Sequence, residues 1–162
     1  MGYAVSSLPA LPILGVDPGQ QGAFGLYHPS LAPKVWDLPG DPRQQFLLLS
    51  SILRAYPGLL MALEQVHGRP RQAGVFGFGV GVGVTLGCAA ALGIPVRQVP
   101  PQVWKPAMGL LHTDKNTSRA LAAQLFPALA SSFVRVKDDG RAEALLLAVY
   151  AFNHSERENL HA

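Results

Sequence analysis

The chain has 162 residues, 49% hydrophobic and only 14% charged, which is enough for one well-packed domain and too little for two large ones. Its formal net charge of +3 permits a nucleic-acid partner without requiring one. No apolar run approaches the ~18 to 20 residues of a membrane span, the apolar start lacks a signal peptide's basic residues, and a lone cysteine excludes an intrachain disulfide and a cysteine-built zinc cage.

A soluble, cytoplasmic protein with no membrane contact is therefore expected, with Cys88 a small buried hydrophobe. Strand-like runs lie near residues 11–17, 22–27 and 33–37. They are separated by Asp17-Pro18-Gly19-Gln20 and His28-Pro29-Ser30, both turn compositions, and read as an antiparallel meander. Asp41, Pro42 and Gln44 then supply an N-cap, a first-turn proline and a capping-box glutamine. The helix they open carries Phe46, Leu49 and Leu53 on one face and ends near Pro57-Gly58. The run LLMALE is short and continuously apolar, as in strands buried on both faces, and a helix between two strands favours a parallel crossover.

The stretch AGVFGFGVGVGVTLGCAAALG is ambiguous. Its Val/Gly alternation suits a strand, whereas Gly77 with Gly81 and Gly79 with Gly83 suit a helix face. Each glycine costs a helix about 1 kcal/mol against alanine, so their number points to close approach of another helix or a partner subunit. No Lys-Ser/Thr follows as in a P-loop, and no Gly-x-Gly-x-x-Gly follows the first strand. Residues 94–99 read as a fifth strand, and TDKNTSRALAAQLF as a helix capped by Thr113 or Asp114 and closed by Pro127. A last helix begins about Asp138 or Asp139, with Ala142, Leu145, Leu146, Val149 and Phe152 as its apolar stripe. The polar tail, about 154–162, is expected to fray. One domain covers 1–162.

The acidic residues carry the chemistry. Of ten, only Asp17 and Glu64 directly end strongly apolar, strand-like runs, ILGVD and GLLMALE. Two carboxylates at the same end of neighbouring strands repel each other unless one is protonated or a cation fills the gap. Further on, KDDGRAEALLLA sets Asp139 and Glu143 one helical turn apart on one face. Asp138 points about 100 degrees away and reads as a cap or an outer group. Taken alone, the segment would be a capped helix with a solvated Glu143. Four carboxylates together suit hard divalent cations such as Mg2+, two of which, about 3.5 to 4 Å apart, can serve an in-line phosphoryl displacement with Asp17 between them. A glycosidase would need only two acids.

On ILGVDPGQQGAFGLY, MALEQVHGRP, IPVRQVPPQVWKPAMGL with DKNTSRALAAQLFP, and KDDGRAEALLLA, in that order over most of the chain, the sequence resembles the RuvC-type Holliday junction resolvases, phage-type members of the RNase H-like superfamily. The resemblance implies an α/β fold with a five-stranded mixed sheet, three antiparallel strands then two parallel, flanked by helices. It also implies a homodimer making paired nicks across a four-way DNA junction in a bacterial or infected host cell, with two Mg2+ per active site and Mn2+ as a substitute. Carried onto this sequence, the catalytic and metal-binding set is Asp17, Glu64, Asp139 and Glu143. The bacterial pattern usually separates the last two by three positions and ends in aspartate. Here the spacing is four and the end is glutamate, so Asp138 stays open as an alternative to Asp139.

The segment HGRPRQAGVF places Arg69, Arg71 and Phe76 where the family carries residues that enter the junction centre, and a planar side chain there would stack on unpaired bases. Lys105, Lys115 and Arg119 complete the expected DNA contacts, which on phosphates are salt-sensitive and carry no sequence information. Trp104 is expected to be buried. The five histidines, including His67, show no metal-ligand spacing. Competing readings are a nuclease of the same fold acting on RNA/DNA hybrid or structured RNA, a non-catalytic junction-binding module, and an actin-like ATPase, for which the chain is too short.

Overall fold

Period-two alternation sorts the first strand between two cores. In Ile13–Asp17 (β1), Ile13 faces one cluster, and Leu14 and Val16 face the other, as successive side chains of a strand must. The structure, a computed structural model, describes residues 11–65 and 73–160, the last five as backbone only. β1 pairs antiparallel with Ala23–Tyr27 (β2), which pairs antiparallel with Lys34–Asp37 (β3). After helix Pro42–Ala55 (α1), Leu60–Glu64 (β4) returns parallel to β1, and after helix Val75–Ala91 (α2), Val96–Val99 (β5) lies parallel to β4. The strand order β3-β2-β1-β4-β5 is the mixed sheet expected. Beyond it come helices Pro101–Ala107 (α3) and Lys115–Leu125 (α4), 3-10 turns at Pro127–Phe133 and Val136–Asp138, and the long helix Asp139–Leu160 (α5).

α5 covers one face of the sheet, and two glycines let it. A methyl group on Gly15 would overlap the Ala144 carbonyl, and one on Gly25 the Leu145 backbone. Ala142, Leu145, Leu146 and Phe152 pack there with Trp104 and Phe133. On the opposite face Leu49 and Ile52 of α1 and Ala89 of α2 pack against Leu14, Phe24, Leu26 and Leu63.

Several expectations are corrected. α1 has the expected Asp41 cap, whose Oδ1 accepts from the Gln44 N–H at 2.8 Å. Its buried stripe, however, is Gln45, Leu49 and Ile52, and Phe46 is exposed. The core takes a polar residue at position 45 because the Gln45 amide donates to Thr85 Oγ1 of α2 at 3.1 Å. The glycine-rich stretch is a helix. Cys88 is only partly buried, because α2 turns Thr85 and Ala89 inward instead. α5 continues as helix to Leu160, into the polar tail. α3 was not foreseen.

Candidate active site

β1 and β4 run parallel with Val16 opposite Leu63, so their last residues, Asp17 and Glu64, reach the same edge of the sheet. α5 starts above that edge. Gly140 lies against the Gln21 carbonyl of the β1–β2 turn, where a side chain would not fit, and this close approach sets Asp139 and Glu143 beside Asp17. The turn is closed by the Gly22 N–H on the Gly19 carbonyl (2.9 Å), and the Gly19 N–H donates to Asp17 Oδ1 at 3.1 Å.

The four carboxylates feel one another. Burial pushes Asp17 up to about 6, with Glu143 and Asp139 adding to the rise against the Gly19 N–H and Lys105. Burial likewise lifts Glu64 to about 7, with Asp17 and Glu143 contributing and Lys105 and the Trp104 N–H opposing. Perturbation by desolvation together with named charges is a mark of functional sites. Glu143 meets Lys105 Nζ through Oε2 (3.1 Å) and accepts from the Ser118 hydroxyl through Oε1 (3.3 Å). Asp139 Oδ2 lies 2.7 Å from Lys115 Nζ. Asp138, 1% exposed, is spent elsewhere: its carboxylate accepts from the Arg135 backbone N–H and guanidinium, both at 2.8 Å, which hold it below the usual carboxylate range.

No family model matches the chain. A stretch of 70 residues, 43% of the chain, is 39% identical to the chloroplastic Holliday junction resolvase MOC1 of Chlamydomonas reinhardtii, and the chain spans only 8% of that curated relative's length. Solved structures match along nearly the whole chain. Thermus thermophilus RuvC superposes with a TM-score of 0.61 at 16% identity, covering 90% of this chain and 97% of that one. The same protein in complex with Holliday junction substrate gives 0.61 at 18% identity, covering 90% and 96%. The chain has the RuvC fold. The yeast mitochondrial Holliday junction resolvase Ydc2 shares it, with a TM-score of 0.58 at 14% identity over 94% of this chain and 82% of its own.

On this RuvC fold the residues expected from sequence meet different fates. Asp17, Glu64, Asp139 and Glu143 gather at one edge. Lys105 and Lys115, expected on DNA, stand among them as counter-ions. Arg119 is engaged within the chain: its guanidinium donates to the Val134 carbonyl at 2.8 Å and to Asn116, tying α4 to the chain that follows. Phe76 is 86% exposed near the start of α2. Arg69, Arg71 and His67 lie outside the described residues. Sequence reasoning missed Ser118, although it follows Lys115 by three positions on the same helical face, and missed that Trp104 donates from Nε1 to Glu64 Oε2 at 3.1 Å.

The donor set is all carboxylate oxygen, the chemistry of Mg2+ or Mn2+ and not of a thiolate-loving metal. Among the described residues no three acidic, histidine or cysteine side chains are drawn close enough to hold an ion in this arrangement; Glu143 and Asp139 meet lysines and Glu64 an indole. Lysine side chains are flexible, so the two ammoniums can give way to a cation that two crowded, burial-raised carboxylates would welcome. The residues fit such an ion.

Proposed function

We propose that the chain is a Holliday junction resolvase, an endonuclease that nicks four-way DNA junctions with the help of divalent metal ions. The observation that carries this reading is the electrostatic coupling of Asp17 with Glu64, Asp139 and Glu143 at the strand ends of a RuvC fold. The names of the curated relative and of the junction-bound RuvC structure support the substrate. Asp17, Glu64, Asp139 and Glu143 would hold Mg2+, two ions per site with Mn2+ as substitute. Such ions supply an activated water and charge for the leaving oxygen.

The chain's own contributions follow from its contacts. Asp17 and Glu64 must be ionised to act as ligands, so activity should rise as pH climbs through the range from 6 to 7 where they titrate. Lys105 and Lys115, once released from Glu143 and Asp139, would offer two cations to the phosphate backbone. Arg69 and Arg71, which follow β4 in the sequence, and Phe76 near the start of α2 would contact the junction itself. Arg119, engaged with the Val134 carbonyl, would join this surface through the guanidinium hydrogens that bond leaves over.

The active form would be a homodimer, with one site for each of the two strands to be cut. The exposed stripe of α2, Phe76, Gly79, Val80, Gly83 and Gly87, is the proposed contact. A methyl group on Gly79, Gly83 or Gly87 would meet nothing within 4 Å, so no contact within the chain demands glycine there. Cleavage of a mobile four-way junction, a linear duplex and an RNA/DNA hybrid, each with and without Mg2+, tests the reading. Metal-dependent nicking confined to the junction is expected, lost in Asp17→Asn while junction binding persists. Nicking by that variant, or preference for the hybrid, would refute it.

A further inference from the structure

A tryptophan buried to 0% exposure needs a partner for its indole N–H. Trp104 sits on α3, packed in the cluster of Ala62, Val99, Leu145 and Leu146, where phenylalanine would keep most of the hydrophobic contact at the cost of a small cavity. What the indole adds is the hydrogen bond from Nε1 to Glu64 Oε2, 3.1 Å long and itself buried. We infer that Trp104 is a positioning residue that fixes Oε2 of Glu64 and so leaves Oε1 aimed at the divalent ion, an inference resting on the metal-dependent reading above. Indole nitrogen donates only and cannot ligate a cation, so Trp104 orients the ligand without competing for the metal.

The neighbouring contact shows how the two kinds of partner differ. Lys105, the next residue of α3, reaches Glu143 Oε2 at 3.1 Å with its ammonium 5.4 Å from the Trp104 ring centre. One short helix therefore holds two of the four carboxylates, one through a flexible chain that can let go and one through a ring locked in the core. Partners of this second kind typically change metal affinity ten- to a hundredfold when removed.

The test needs no DNA. Free Mn2+ is counted by its EPR signal in the presence of wild-type protein and of W104F, with melting temperatures recorded alongside. The expected result is a dissociation constant raised roughly tenfold to a hundredfold in W104F; a packing role alone would lower the melting temperature and leave Mn2+ affinity unmoved. Because W104F could fail to fold, W36F provides a second measurement, since the chain has two tryptophans and this variant leaves Trp104 as sole emitter. Saturating Mn2+ should change its emission at the midpoint that EPR gives, and E64Q in the W36F background should abolish the change. Wild-type affinity in folded W104F, emission indifferent to bound Mn2+, or no Mn2+ binding by the wild type would each overturn the inference. A wild-type protein that binds Mn2+ through this pair yet leaves junctions uncut would refute the proposed activity alone.

Discussion

Asp17 and Glu64 hold their protons to about 6 and about 7, well above an exposed carboxylate. Between the unfolded and folded values the native state binds more protons than the unfolded chain, so their contribution to stability is intact at low pH and declines as pH rises from about 4 to 7. Asp17→Asn removes that penalty. In thermal melts without metal it is expected to raise the melting temperature by a few degrees at pH 8 and to do nothing of the kind at pH 4. Its neighbour pair behaves oppositely. Asp138, buried and bonded to Arg135, has a depressed value, so its contribution is present above the unfolded pKa and lost as pH falls through the folded one. Asp138→Asn should cost roughly 1 to 3 kcal/mol in denaturant titrations with Mn2+ affinity retained, whereas Asp139→Asn should lose Mn2+ affinity and keep its stability. The sequence could not separate these two aspartates, because one residue of helix rotates a side chain by about 100 degrees and the helix start was free by that much. The 3-10 turn before α5 and the guanidinium of Arg135 engage Asp138, which supports Asp139 as the member of the proposed site.

Among the elements, the meander, the crossover and the capped helices were legible because apolar period and turn chemistry agreed with the final packing. α3 was hidden by Pro100, Pro101 and Pro106, although a proline in the first turn costs a helix nothing. The inward face of α1 lies one position from its apolar stripe because no pattern of apolar residues reveals a glutamine whose amide donates to a threonine forty residues later. The most consequential hidden feature is the seat of α5. Gly15 sits in an ordinary strand context, and only the finished fold shows the Ala144 carbonyl against it. Gly15→Ala meets backbone that cannot swing aside. It should destabilise by about 1 to 3 kcal/mol as overpacking does and also reduce cleavage by displacing Asp139 and Glu143, both measurable on the same preparation.

At the scale of the molecule, the sheet offers a carboxylate edge at one end, and α2 shows a glycine stripe on the face away from α5. Light scattering should give the mass of two chains in solution. Gly83→Leu, at an exposed position with open space around it, should return a monomer of unaltered melting behaviour at high dilution. A glycine helix that looked wasteful in sequence would then be the surface that sets two cutting centres a fixed distance apart. The order of the elements has a consequence of its own. Asp17 and Glu64 belong to β1 and β4, whereas Asp139 and Glu143 arrive on the last helix of the fold, so a chain emerging from the ribosome carries half of its acidic cluster long before the other half exists. If the chain is the proposed nuclease, translation itself would delay the cutting centre until α5 has been made and has docked on its two glycines, and the growing polypeptide would stay harmless to nucleic acid around it.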